Sequence, residues 1–479
     1  YFATHQKEII FGDNRIVRFA NFLYSQDVPL PNKFETHIID GCVVQRQHLG
    51  QTPRFLTYAK AWNSLVLFAS YPIPFSHEGE IDPEDIDPEA KLKPHYQKPL
   101  TPDRVLPEDV VYPTSYEEQY ELYVIGDSGI SKVLSLDKHE VGYCVSFIHV
   151  KEDYQNLNSS LNEYLAIGTG FMCAEERNVR GRLRIYKGSL VQSDQQDVNE
   201  YMLTELCKKV LKSPITSICD VDGYIAAFVG AQLQILMFIN EKHLKVASFL
   251  NAHFFSSQLI SIKHYMIYVD AFKGFQMIRW REYGHKLISV AKDFQTFRPL
   301  SASLLIHGET FAGALYDCFG NVQIFEIDEY AVPSDAFKIT SVFNIGCNAI
   351  SAGQFPMRST ERADVIAGYF AWFVGETGKI GIFSPMKNDN TRRLLCYIQS
   401  LYEKTLVGFS HQEYRWGKFP LLMNHELINE SPRLVADLDL LLDFLESQSD
   451  TQKGCLKVVD KTQFNNSVAD ISSVSTIFE

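Results

Sequence analysis

Fourteen histidines and nine cysteines are the side chains best suited to metal or nucleophilic chemistry in this 479-residue chain, and their spacing decides whether they could perform it. The cysteines stand at 42, 144, 173, 207, 219, 318, 347, 396 and 455. No two are separated by the short interval that structural zinc sites use, which excludes a zinc finger. The histidines form no His-Glu-x-x-His or His-x-His pair, and no Gly-x-Ser-x-Gly elbow offers a serine nucleophile. Serine, histidine and aspartate could still meet in space, but nothing in their order points to it. The expectation is a protein without a catalytic constellation, cofactor or metal.

Two glycine-rich stretches invite a phosphate-binding reading and do not sustain it. Gly168-Thr169-Gly170 follows the apolar run Tyr164 to Ile167, yet the third glycine of a dinucleotide loop is missing. The next element, Arg182 to Lys187, alternates with a strand period rather than opening a helix. A turn is expected at Gly168 to Gly170. In Gly375-Glu376-Thr377-Gly378-Lys379 the glycines are too close for a phosphate loop, and Ile380 stands where Ser or Thr should hold magnesium. A β-turn is expected there as well.

Basic clusters are the remaining candidates. Arg177, Arg180, Arg182, Arg184 and Lys187 form a run whose last three members are expected to share one face of a strand, solvated or available to a phosphate backbone. Arg279-Trp280-Arg281 interleaves guanidinium and aromatic groups as RNA-stacking platforms do. On a strand, Trp280 would fall opposite its two arginines, which favours an inward ring. Arg392-Arg393 sits where a helix begins, and there the macrodipole prefers acids. A solvated face is the ordinary reading of the pair, and a partner that carries carboxylates is the functional one.

The elements that must position these residues read as follows. With 46% hydrophobic and 22% charged residues the chain has the composition of a globular protein. Its 45 basic against 58 acidic residues give a net charge of −13, so any nucleic-acid contact must come from a local basic patch. No apolar run approaches the roughly 18 to 20 residues that cross a bilayer as a helix, and no membrane contact is expected. Scattered cysteines at low density suit reduced thiols of an intracellular protein. Tyr1 is not an initiator residue, so the chain is expected to be part of a longer one.

A hairpin is expected around Ile9-Ile10-Phe11, Gly12-Asp13-Asn14 and Ile16 to Phe19. Nine of the nineteen prolines lie between Pro72 and Pro113, with an acidic run from Glu78 to Glu89. Such a stretch cannot repay its ordering entropy, so a disordered insertion is expected at about 76–113. From Tyr120 to Phe383, short runs of Val, Ile, Phe and Tyr separated by Gly, Asp, Asn and Ser turns give an all-β region. Turn glycines at 223, 274, 320 and 378 recur near the 40 to 50 residues of a four-stranded propeller blade. The fold class is therefore mainly β: a degenerate WD40-like β-propeller over 1–384 and a small α-helical domain with a polar tail over 385–479. The helical part rests on Leu394, Leu395, Ile398, Leu401 and Tyr402 after an Asn390 or Thr391 cap, and on Leu434, Val435, Leu438, Leu441, Leu442 and Leu445.

These residues carry a family resemblance. Glu163 to Gly170, Cys173-Ala174-Glu175-Glu176 and Gly181 to Tyr186 resemble the signature of the family containing the large subunit of the cleavage and polyadenylation specificity factor, the damaged-DNA-binding adaptor and a large splicing-factor 3b subunit. Ser213 to Cys219, Gln258 to Lys263, Gly378 to Gly381 and Arg392 to Leu395 are most similar to the polyadenylation branch. Ser410-His411-Gln412 departs from the Asn-Pro-Arg usual there, while Tyr414-Arg415 restores the aromatic-arginine step. The resemblance implies the third propeller and C-terminal helical domain of a three-propeller scaffold that is not an enzyme and acts in the nucleus. It implies partners too: a WD-repeat subunit and a CCCH zinc-finger subunit that read the pre-mRNA, with an endonuclease and poly(A) polymerase recruited to the assembly. Tyr414 and Arg415 join Arg392 and Arg393 as candidate partner contacts. Arg279, Trp280, Arg281, Arg182 and Arg184 are the candidate RNA contacts. A splicing or ubiquitin-ligase scaffold, or a direct RNA-binding module, is the alternative.

Overall fold

The computed structural model describes residues 2–3, 8–13, 16–21, 35–39, 42–46, 49–59, 64–74, 116–126, 129–137, 140–154, 159–171, 180–192, 199–252, 256–272, 274–292, 298–307, 310–327, 337–358, 366–376, 378–383, 389–403, 435–437, 441 and 444. The insertion expected at about 76–113 lies outside them, as do Tyr414 and Arg415. The described residues are overwhelmingly β. Strands β1 (Phe2–Ala3), β2 (Glu8–Asp13), β3 (Ile16–Asn21), β4 (Glu35–Ile39) and β5 (Cys42–Arg46) form one sheet in the order β1-β2-β3-β5-β4. Its β2–β3 pair is the antiparallel hairpin expected from Ile9 to Phe19.

Four four-stranded antiparallel meanders follow, each in simple sequence order. The first comprises β6 (Thr52–Ala59), β7 (Ser64–Pro74), β8 (Tyr116–Gly126) and β9 (Gly129–Ser135). The second holds β10 (Glu140–Lys151), β11 (Leu161–Phe171), β12 (Gly181–Gln192) and β13 (Asn199–Leu211). The third is β14 (Ile215–Val221), β15 (Tyr224–Val229), β16 (Gln232–Ile239) and β17 (His243–Asn251), and the fourth β18 (Ser256–Ile262), β19 (Tyr265–Asp270), β20 (Gly274–Arg281) and β21 (Lys286–Lys292). A fifth meander, β22 (Pro299–His307), β23 (Thr310–Asp317), β24 (Asn321–Ile327) and β25 (Phe337–Asn344), is joined to β26 (Ala349–Arg358), β27 (Ile366–Gly375) and β28 (Ile380–Phe383). The join is a short β22–β27 pairing in which Ile306 faces Tyr369.

The meanders stack because their strands are apolar on both faces: Tyr224 to Val229 is buried at every position. The core therefore lies between successive sheets rather than inside one. Ile148, Tyr164, Leu183 and Ile185 of the second meander pack on Ile215, Ile225 and Leu236 of the third. Tyr224, Phe228 and Ile235 in turn meet Leu259, Tyr268, Ile278 and Trp280 of the fourth. First strands are neighbours throughout, with β6 beside β10, β10 beside β14, β14 beside β18, β18 beside β22 and β22 beside β26. Polar stitches reinforce this line. Gln258 on β18 donates to the Ala352 carbonyl on β26 at 2.7 Å, and its side-chain oxygen accepts from the Ala302 amide on β22 at 2.7 Å.

Turn chemistry explains the punctuation. Gly223, Gly274, Gly320 and Gly378 all have positive φ, between 76° and 97°, which an L side chain adopts only with strain. The stretch Gly168 to Gly170 does not form the expected turn; it lies inside β11, which pairs with β10 and β12 on either side. Its glycines serve closeness, since a Cβ on Gly168 would stand 2.5 Å from Cys144 Sγ and 2.9 Å from the Ile215 carbonyl oxygen.

After β28 comes helix α1 (Asp389–Glu403). It buries Leu395, Ile398 and Tyr402, spaced at i, i+3 and i+7 along one face. Tyr402 meets Phe444 edge to face at 5.3 Å between ring centroids. Gln399 accepts a hydrogen bond from the Asp437 amide at 2.9 Å, and Val435 packs on the Ala314, Tyr316, Phe343 and Phe373 cluster. Of the residues expected on the second amphipathic face, Val435 and Leu441 are described; Val435 is not helical, whereas Leu441 and the nearby Phe444 are helical and buried.

Candidate interaction surfaces

The ends of β10, β14 and β18 and the turns that follow them open onto a cleft of about 780 Å³. Its lining includes the titratable groups His149, Lys151, Asp220, Asp222, Lys263 and Glu282 beside the hydroxyls of Ser159 and Ser261. Two turns aim these groups, with Asp222 at φ 47° beside Gly223 at φ 80°, and Lys263 at φ 49°. The Lys151 ammonium donates to Glu282 at 2.6 Å, and the Tyr224 hydroxyl donates to the same oxygen at 3.1 Å. The His149 amide donates to Asp220 Oδ2 at 3.0 Å, with the imidazole Nδ1 at 3.1 Å from that oxygen. Burial lifts the Asp222 carboxyl above its ordinary range; His264 and Lys151 oppose the shift while Glu282 adds to it. Mixed charge held in paired form suits recognition of a polar surface. Among the described residues no group of three His, Cys, Asp or Glu side chains could hold a metal ion. Burial also pushes the Cys144 thiol up to about 12 and the Cys219 thiol higher, opposite to what a reactive cysteine needs.

The arginine run of β12 proves to be interior. Arg182 and Arg184 are 2% and 4% exposed, so neither offers the surface face expected for a phosphate backbone. Arg184 Nη2 donates to Glu140 at 2.5 Å and to Asp137 at 2.7 Å, and Arg182 Nη1 donates to Asp137 at 2.5 Å. Thr169 Oγ1 donates to Glu140 at 2.6 Å, and the Arg182 guanidinium lies 4.3 Å from the Phe171 ring centroid. Burial works against the Arg184 charge, but Glu140, Tyr186 and Asp137 more than compensate, so its protonated form is held more firmly than in water. Lys187 leaves this cluster altogether; it is half exposed and pairs with Glu241 at 2.9 Å. The shared face fails because 182 and 184 have one parity and 187 the other. Sequence gave no sign of the acid partner, since Glu140 lies 42 residues before Arg182 and meets it only through the β10–β11–β12 ladder.

Trp280 is 1% exposed and packs on Tyr224 and His285, with centroids at 5.2 and 5.9 Å. It cannot stack on RNA, and the inward ring expected from strand alternation is what the structure has. Arg279 is half-buried with its guanidinium 5.5 Å from the Tyr265 centroid, while Arg281 is exposed. The aromatic group that does face solvent nearby is Tyr283, 93% exposed in the turn between β20 and β21. Arg393 is exposed on the first turn of α1, and Arg392 lies in the same turn.

The described residues form a β-repeat architecture of antiparallel meanders stacked through their apolar faces, with paired charges lining a cleft. The model of the family described as the CPSF A subunit region matches residues 121–446, from β8 to beyond α1. The chain belongs to this family, that of the large subunit of the cleavage and polyadenylation specificity factor. It is 22% identical over 355 residues to the Drosophila melanogaster cleavage and polyadenylation specificity factor subunit 1, covering 70% of this chain and 24% of that protein. The Arabidopsis thaliana protein of the same name is 24% identical over 380 residues, covering 77% and 25%. Protein cft1 of Schizosaccharomyces pombe is 20% identical over 298 residues, covering 60% and 20%. The chain therefore spans about a quarter of the length of the relatives it matches.

Proposed function

We propose that this chain is a non-catalytic scaffold module of the nuclear complex that cleaves and polyadenylates pre-mRNA. The observation that carries the reading is the family match over residues 121–446, which takes in the stacked strands from β8 onward and helix α1. In this reading each meander is a propeller blade, and the adjacent first strands β6, β10, β14, β18, β22 and β26 form the wall of a central channel with the charged cleft at one mouth. Helix α1 and the segment holding Leu441 and Phe444 form the base of the helical domain. The partners are the WD-repeat and CCCH zinc-finger subunits that contact the pre-mRNA, and the endonuclease and poly(A) polymerase that the assembly recruits. Engaged carboxylates and thiols raised by burial are consistent with a role without catalysis.

Affinity purification of the tagged chain from nuclear extract, followed by quantitative mass spectrometry, tests this. Polyadenylation factors should be enriched together. Enrichment of splicing-factor 3b or cullin ubiquitin-ligase subunits in their place would assign the chain to another branch of the family.

A further inference from the structure

The rim shared by the third and fourth meanders carries a feature that scaffolding does not use. Outer strands β17 and β21 lie side by side, and each is entered through a tight turn. In the first turn Asn240 and Glu241 have φ near 53°; in the second Gly284 and His285 have φ 81° and 47°. In both turns the acid is only partly exposed and already engaged by neighbouring side chains. Glu241 accepts from Tyr164 at 2.7 Å and from Lys187 at 2.9 Å, and Glu282 is held by Lys151 and Tyr224. The exposed groups include Lys242, His243 and Lys245 beside Val246 and Phe249 on one side, and Arg281, Tyr283, His285 and Lys286 on the other. Arg281 and Lys286 are directly paired across the β20–β21 ladder, an arrangement of like charges that weakens a sheet. A local cost of this kind is offset when a polyanion lies across both cations.

We propose that this rim binds single-stranded nucleic acid, with Lys242, Lys245, Arg281 and Lys286 on the phosphates and the Tyr283 ring stacked on a base. The ring decides between occupants. An acidic peptide would satisfy the cations but would find no apolar pocket at Tyr283, which stands 93% exposed on a turn anchored through Glu282. A base needs only the face of that ring, and stacking of this kind tolerates any sequence. The site replaces Trp280 and Arg182 with residues three positions and one meander away, and it stands whether or not the chain is a scaffold.

The test uses the full chain and fluorescence anisotropy with a labelled 15-nucleotide oligouridylate, compared with polyglutamate of equal charge, from 50 to 200 mM salt. RNA should bind with a steep salt dependence and polyglutamate more weakly. Tyr283→Ala should weaken RNA about tenfold while leaving polyglutamate unchanged. Lys286→Glu should lower the salt slope by about 0.7 or more, yet hold or raise the melting temperature, because it creates an opposite-charge pair with Arg281. No RNA binding at 50 mM salt, equal affinity for polyglutamate, or an unchanged affinity in Tyr283→Ala would each overturn the proposal.

Discussion

Replacing Arg184 by alanine separates a buried arginine from a surface one within a single sequence run. Arg184 and Glu140 expose 4% and 0% of their side chains and touch at 2.5 Å, with Asp137 closing the cluster at 2.7 Å. Removing the guanidinium leaves Glu140 inside the fold with less counter-charge, a change that costs about 3 to 5 kcal/mol. Lys187 and Glu241 are 53% and 40% exposed, and an exposed pair contributes about 0 to 1 kcal/mol. At about 2 to 4 °C per kcal/mol for a unit of 150 to 250 residues, Arg184→Ala should lower the melting temperature by about 10 °C and Lys187→Ala by no more than about 4 °C. Arg184→Lys should fall between them, since an ammonium keeps the charge but not the forked geometry. Differential scanning fluorimetry of the three variants in one buffer supplies the comparison. Equal melting of Arg184→Ala and Lys187→Ala would mean that the guanidinium is solvated and that the β12 arginines are a surface after all.

Other perturbations follow from the same geometry. Gly168→Ala places a Cβ 2.9 Å from the Ile215 carbonyl oxygen and should cost about 1 to 3 kcal/mol by overpacking, read as a lower urea midpoint with no change in slope. Glu121 accepts from Tyr123 at 2.5 Å, from Gln51 at 2.9 Å and from Lys132. Burial opposes its charge, yet these bonds win and hold its carboxyl below the ordinary 4.5. Its stabilisation is thus complete above about pH 4.5 and lost as pH falls through the lowered value, so Glu121→Gln should flatten the acid limb of a melting-temperature profile. Reversing Arg392 and Arg393 to glutamate suits the start of α1 and should leave melting unchanged. Loss of WD-repeat or zinc-finger subunits from pull-downs of that double variant would assign the pair a docking role, and retention would remove it.

Much of the architecture was legible because a strand buried on both faces announces itself. Tyr224 to Val229 reads as an uninterrupted apolar run, and the glycines at 223, 274, 320 and 378 sit where positive φ is required. Trp280 was legible as well, since alternation along β20 sets its ring opposite Arg279 and Arg281. Charge pairing across strands was not. Glu140 and the β12 arginines are neighbours only because β11 lies between them in the ladder, a fact of register that no local pattern encodes. Gly168 to Gly170 misled for a related reason: glycine marks either a turn or a close approach, and the approaching Cys144 and Ile215 come from different strands. Tyr283 escaped notice because exposure depends on what the rest of the fold leaves uncovered.

A cryo-electron microscopy map of the purified 3′-end processing complex tests the central claim most directly. The account predicts density in which the described meanders radiate as blades about one axis, with the mouth lined by Lys151, Asp220 and Glu282 or the exposed face of α1 against other subunits. Meanders packed as a two-layer sandwich, or a complex that assembles without this chain, would contradict it.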